Sequence, residues 1–227
     1  MVPKPGLHSQ LSYNPHNLTE AVKLMVKFVD MNSKIEATRE QLLSSETFVY
    51  DLVDMNRQAL QLIFDYYYRK LDTAWIEQNE PKLEMAIQKL TNILELMERI
   101  LQSSQHWLLY NWINDARAIA NDSKERDYNE WQARNQITSW GPNDNIVDYA
   151  AKQWSGMFEY YYTPRWLFYF DYLKTLMVKN QTYFDPKKFQ KELFLQIELP
   201  FTKDTGQKLI RKANGKSLIL NYHIFLI

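Results

Sequence analysis

The residues of this chain best suited to chemistry on a ligand gather at one corner: Trp140-Gly141-Pro142, followed by Ile146, Asp148 and Tyr149. Gly-Pro breaks helical geometry, so the Trp140 indole stands where one helix must end. Ile146 and Tyr149, three residues apart, are expected on one face in the first turn of the helix that restarts after the corner. A flat ring, an aliphatic wall and a phenol suit stacking on the apolar face of a sugar and hydrogen bonding to one of its hydroxyls. The same residue types also build an ordinary packed helical corner, and on residue chemistry alone that is the commoner outcome. Asn145 and Asp148 fit a plainer role, a helix N-cap with an acidic partner at the third position, where the helix dipole favours it.

Elsewhere the common catalytic constellations are missing. The residues three before His8, His16, His106 and His223 are Pro5, Tyr13, Ser103 and Leu220, so no Glu-x-x-His pair of a di-metal helical bundle exists. There is no H-x-x-x-H, no glycine-rich loop leading into Lys-Ser or Lys-Thr, and no G-x-S-x-G elbow. With no Cys, thiolate nucleophiles, disulfides and Cys-type zinc sites are excluded. Neither metal ligands nor a cofactor are expected. Two carboxylates about 5–5.5 Å apart could run retaining glycoside hydrolysis, but spacing along the chain fixes no such distance, and no catalytic residue is nominated.

Composition narrows the partners. Lys+Arg and Asp+Glu are both 27, so no net field of either sign draws in nucleic acid or an anionic membrane. The basic residues Lys203, Lys208, Arg211, Lys212 and Lys216 read as a solvated face. No apolar run approaches the roughly 20 residues of a membrane span, and the first residues, MVPKPGLHSQ, lack the apolar stretch of a signal peptide. Three N-x-[ST] sequons, at Asn17, Asn121 and Asn180, would permit glycosylation in a secretory setting.

The elements that must carry the corner are helices. Residues 1–16, with Pro3, Pro5, Gly6 and Pro15, read as a linker or extended strap, and residues 17–227 as one helical domain. Asn17 or Thr19 is expected to cap a first helix that ends near Asn32. Ser44 or Ser45 opens the longest element, where Phe48, Leu52, Met55, Ala59, Leu62 and Tyr66 form one stripe, with a second stripe of Val49, Val53, Leu60, Phe64, Tyr67 and Leu71 beside it. Two stripes predict a central helix with two neighbours. Gln78-Asn79-Glu80-Pro81 suits a stop and restart, and Leu83, Ile87, Leu90, Leu94, Met97 and Leu101 predict the returning arm of a hairpin. Asp51 and Asp54 are read as acidic residues favourable near that long helix's start. Further helices are predicted over about 106–121, 123–138, 145–161, 163–179 and 185–196. The fold class is therefore all-α, a bundle of about eight or nine helices around a long central helical hairpin. The closing SLILNYHIFLI is densely apolar and fits no element in particular.

Four stretches, YDLVDMNRQALQ (50–61), NDARAIA (114–120), RNQITSWGPNDNIVDYAAKQWSGM (134–157) and YYTPRW (161–166), resemble in sequence and order the C-terminal helical region of the α-N-acetylglucosaminidase family. Weaker similarity runs from about residue 9 to residue 214. The resemblance implies a lysosomal exo-glycosidase of heparan sulfate breakdown in three parts: a small N-terminal domain, a (β/α)-barrel holding two catalytic glutamates, and this helical domain packed on the barrel. It implies that Trp140, Ile146 and Tyr149 bind substrate by reaching into the pocket for the terminal N-acetylglucosamine. The catalytic pair has no counterpart here, so the chain is not expected to hydrolyse anything alone. Its partners would be the barrel of the same enzyme and the terminal N-acetylglucosamine of a glycan, in a lysosomal or secreted setting.

Two departures qualify the resemblance. Family members end in a Tyr- and Trp-containing tail, whereas this chain closes on NYHIFLI, and it starts at Met1 in what would be the interdomain linker, without the family's signal peptide. The alternative reading is a stand-alone helical interaction module, derived from the enzyme and without catalysis.

Overall fold

The computed structural model describes residues 3–6, 12–33, 36–141, 146–206, 209 and 213. Among them the regular elements are α1 (Pro15–Ser33), α2 (Glu36–Ser44), α3 (Glu46–Ile76), α4 (Glu80–Leu101), α5 (Leu109–Ala118), α6 (Ser123–Gln136), α7 (Thr163–Val178), α8 (Pro186–Leu193) and α9 (Leu199–Lys203). The all-α class is what the sequence predicts, and the only pairing of extended residues among those described is one parallel bridge between Leu108 and Ser155. No described helix is long and apolar enough to cross a membrane.

The framework is the α3–α4 hairpin. Ser45 caps α3, its hydroxyl accepting from the Phe48 N–H, and Asn79 caps α4, accepting from the Lys82 N–H with Pro81 just inside the helix. Every position of the predicted α4 stripe is buried. On α3 the second stripe lies deeper than the first: Val49, Val53, Leu60 and Leu71 are buried, whereas Tyr66, which ends the first, is exposed. Val49, Val53 and Leu60 pack with Ile93, Leu94 and Met97 of α4, and farther along α7 adds to the cover where Trp166 makes edge contacts with Phe64 and Tyr68. Residues 3–6 lie on the same hairpin, the Gly6 N–H donating to the Asp72 carboxylate and the Tyr68 hydroxyl to the Lys4 carbonyl.

A second, smaller core joins α5, α6 and the segment after the corner through Leu109, Ile113, Ile137, Met157, Tyr161 and Phe201. Glu130 and Arg134 of α6 are buried within it and paired at 2.9 Å, with Arg117 of α5 also on the Glu130 carboxylate. These charges tie α5, α6 and α9 together, because Arg134 also donates to the Phe201 carbonyl at 3.2 Å.

Several boundaries differ from expectation. α1 starts at Pro15 with the Asn14 side chain accepting from the His16 N–H, two residues before Asn17 and four before Thr19, the two expected caps. α2 has no counterpart in the predicted elements. The helix expected over 106–121 begins as a 3-10 turn, Gln105–Trp107, because extended Leu108 pairs with Ser155 before α5 starts. The helix expected over 185–196 is α8 followed by a wide π-type turn at Phe194–Glu198. Asp54 sits two turns into α3 and pairs with Arg57 at 2.5 Å, so Ser45 alone does the capping. The largest correction concerns 145–161. Residues 146–150 are turns, 151–154 are irregular, and helix resumes only at Met157, through a second wide turn at Phe158–Tyr162 that runs into α7. Pro142, Asn145, Lys208, Arg211, Lys212, Lys216 and the SLILNYHIFLI tail lie outside the described residues.

Candidate functional site

The corner forms because α6 ends at Gln136 and the chain turns back on it. Thr138 donates its hydroxyl to the Arg134 carbonyl at 2.7 Å, and the Trp140 and Gly141 amides fold back onto Asn135, at its carbonyl (2.8 Å) and its side chain (3.3 Å). Returning, the chain pairs again with the same turn: Ile146 N–H donates to the Ser139 carbonyl at 3.4 Å and Asp148 N–H to the Thr138 carbonyl at 2.8 Å. Two ends of a loop are thus pinned together at its neck.

Trp140 and Asp148 hold backbone φ of 49° and 59°. This left-handed region is one that Asp tolerates and a bulky indole rarely adopts. The strain sits where the side chains are displayed, a placement associated with functional sites. The Trp140 and Tyr149 rings meet edge to face with centroids 5.5 Å apart. Trp140 remains 38% exposed, Ile146 47% and Tyr149 75%, so an aromatic pair and an aliphatic side chain face outward from one short loop. The structure brings Trp140 and Tyr149 together at the corner, but Ile146 and Tyr149 lie in a turn and not, as expected, on one face of a helix.

Asp148 does something different from capping. Its carboxylate turns inward and accepts from Arg165 of α7 at 3.0 and 3.1 Å, while the Tyr161 hydroxyl donates to it at 3.4 Å. Arg165 also lies 2.8 Å from the Glu198 carboxylate through its Nε, and its guanidinium covers the Tyr161 ring at 4.6 Å. Arg165 is 1% exposed and Glu198 0%. Burial works against the Arg165 charge, but Tyr161, Asp148 and Glu198 around it more than offset this and hold its pKa above the ordinary guanidinium value. Burial raises the Tyr161 and Tyr162 phenols as well, so both stay neutral at physiological pH. Sequence reasoning missed this cluster. Its one available signal was an Arg inside YYTPRW, next to a Pro at a helix start and flanked by aromatic residues, where a charge has no solvated face to occupy.

Behind the corner, residues 151–153 lead to an apolar cleft of about 360 Å³ between α3, α4 and α7, walled by Leu62, Phe64, Met97, Phe158, Tyr162 and Trp166. Glu98 of α4 closes off the next turn. Its carboxylate accepts from the Ser155 hydroxyl (2.6 Å) and from the Gly156 (2.9 Å) and Glu159 (3.1 Å) amides, standing as an acidic cap at the start of the helical run into α7. Among the described residues no group of three or more His, Asp and Glu side chains could hold a metal ion. Chemically, the exposed corner can stack on and hydrogen-bond a ligand.

Comparison with known proteins places this geometry in context. The family model described as Alpha-N-acetylglucosaminidase (NAGLU) C-terminal domain matches residues 2–225. Alpha-N-acetylglucosaminidase of Homo sapiens is 32% identical over 229 residues, covering 100% of this chain and 29% of that protein. A family 89 glycoside hydrolase from Clostridium perfringens in complex with PUGNAc shares the fold with a TM-score of 0.80 at 24% identity, over 96% of this chain and 25% of that one. A structure from the same organism titled as bound to its substrate GlcNAc-alpha-1,4-galactose gives 0.78 at 24%, with the same coverage. The chain therefore spans 29% of the length of the human relative and 25% of the bacterial structures.

Proposed function

Because the chain belongs to the alpha-N-acetylglucosaminidase C-terminal domain family, we propose that it forms one wall of the pocket in which a terminal α-linked N-acetylglucosamine is held for hydrolysis. Catalysis belongs to a barrel of the same enzyme, on which this helical domain docks. Residues 1–16 act as the strap leading from that barrel, and residues 17–227 are the domain. The observation that carries the reading is the outward-facing set of Trp140, Ile146 and Tyr149 on a strained, doubly pinned loop. The indole offers its face to the sugar ring, Ile146 excludes water beside it, and the Tyr149 hydroxyl is free to bond a sugar hydroxyl. Retaining hydrolysis needs two carboxyl groups about 5–5.5 Å apart, and the barrel supplies them.

The corner by itself is half a pocket and buries too little of a sugar to bind it tightly. On this reading the substrate is a glycan of the heparan sulfate class and the setting lysosomal or secreted; both rest on the resemblance to the family, and no feature of this domain bears on either.

The test is kinetic. In the complete enzyme carrying this segment, Trp140→Ala lowers kcat/KM for an α-N-acetylglucosaminide by about tenfold or more, equivalent to roughly 1.4 kcal/mol of transition-state stabilisation, with little change in melting temperature. An unchanged kcat/KM removes the pocket role. The 227-residue chain alone is expected to give no turnover of an aryl α-N-acetylglucosaminide; activity above blank would contradict the assignment of catalysis to another domain.

A further inference from the structure

The buried cluster behind the corner has no part in the reading above, yet its geometry bears on that reading directly. Arg165 occupies the third position of α7 and is locked from three sides: by Asp148 at 3.0 and 3.1 Å, by Glu198 at 2.8 Å, and by the Tyr161 ring beneath it at 4.6 Å. Tyr161 comes from one wide π-type turn and Glu198 from the other, and such turns often mark functional positions in helices. Asp148 is held in the left-handed region between Ile146 and Tyr149, with its amide bonded to Thr138. Asp adopts this region at modest cost, so the contacts around its carboxylate select the conformation. Those contacts are the Arg165 Nη1, which donates to both carboxylate oxygens, and the Tyr161 hydroxyl; together they hold the turn that displays Ile146 and Tyr149.

A buried ion cluster is weak evidence for stability, because desolvating its charges costs about what their attraction returns. We propose that Arg165 is a positioning residue for the sugar-facing corner: through Asp148 it sets the angle at which Tyr149 and Ile146 stand beside Trp140, while Glu198 holds the guanidinium from behind. This inference rests on the pocket reading for its functional meaning, but its structural content is tested separately.

Hydrogen–deuterium exchange on the full 227-residue chain compares wild type with Arg165→Lys, Arg165→Met and Asp148→Asn, reading peptides that cover 146–151 against peptides of α4. Arg165→Lys keeps the charge and loses the planar group that meets Asp148 through Nη1 and Glu198 through Nε at once, so it remains informative if Arg165→Met fails to fold. The expected result is exchange at the corner faster by about tenfold or more in each folded variant, with α4 changed by less than about twofold. Corner exchange that stays unchanged, or that rises in step with α4, overturns the positioning role.

In the complete enzyme carrying this segment, Arg165→Lys lowers kcat/KM by about tenfold, and adding it to Trp140→Ala costs less than about twofold more, because both act through one corner. Full additivity overturns the inference. If Trp140→Ala alone leaves kcat/KM unchanged, the pocket reading falls, and the exchange experiment still decides whether Arg165 positions the turn.

Discussion

Glu98 shows how one side chain can couple the fold to pH. It is the acidic cap of the helical run that begins beyond Ser155, and it belongs to a different helix. Burial pushes its carboxyl above the ordinary carboxylate value of 4.5, against the opposing pull of Ser155 and of the Gly156 and Glu159 amides. A group whose folded pKa is raised contributes stability that is fully present below the unfolded value and is lost as pH rises through the folded value. The melting temperature of wild type minus that of Glu98→Gln is therefore expected to fall as pH rises from below 4.5; a difference that grows with pH would reverse the assignment. The corner belongs to the same scale. Trp140 at φ 49° carries strain that Trp140→Gly would relieve, so that variant is expected to lose kcat/KM in the complete enzyme while its melting temperature holds or rises slightly. Loss of both together would mean the indole is a packing residue.

At the scale of elements, the turn that introduces α7 depends on a glycine. Gly156 has φ 89°, and a Cβ placed there would meet the Leu109 Cβ at 3.1 Å. Gly156→Ala thus combines left-handed backbone strain of about 1–2 kcal/mol with a clash against the start of α5. Chemical denaturation is expected to report a loss of at least that size. The hairpin caps are more modest: Asn79→Ala removes the acceptor for the Lys82 amide and should cost about 1 kcal/mol. Asp185 accepts from both the Lys187 and Lys188 amides at the start of α8. Asp185→Ala is expected to cost a similar amount, read in the same denaturation experiment; no loss would show that α8 is held by Phe189 and Leu193 alone.

For the molecule as a whole, stability is carried by the layer in which α3, α4 and α7 meet. Leu90 is fully buried there among Leu71, Ile87, Phe170 and Leu173. Leu90→Ala is expected to cost about 2–5 kcal/mol, depending on how far the site collapses, measured as a shift in denaturant midpoint. A cost under about 1 kcal/mol would mean that this layer is loosely packed. The same layer anchors the candidate site, since Arg165 is a residue of α7 and reaches the corner from it. Substitutions in the α5–α6 core act on the other side of the corner, through Arg134 and Thr138.

The helices of the hairpin and their caps were legible because they are local. Periodicity fixes which face of α4 is apolar, and Asn79-Glu80-Pro81 carries its own stop and start in adjacent residues. The gathering of Trp140 and Tyr149 was legible for the same reason, as a Gly-Pro break followed closely by Ile and Tyr. The conformation that gathers them was not. Asp148 reads locally as an acidic residue in a first helical turn, and that reading fails because Arg165, seventeen residues away and itself paired with Glu198, draws the Asp148 carboxylate into the interior. Likewise the deeper stripe of α3 was decided by how α4 and α7 pack on it. Chain-local spacing therefore determined the elements and the residues displayed, whereas the buried charges that orient them depend on contacts between segments remote in sequence, which only the packed structure brings within reach.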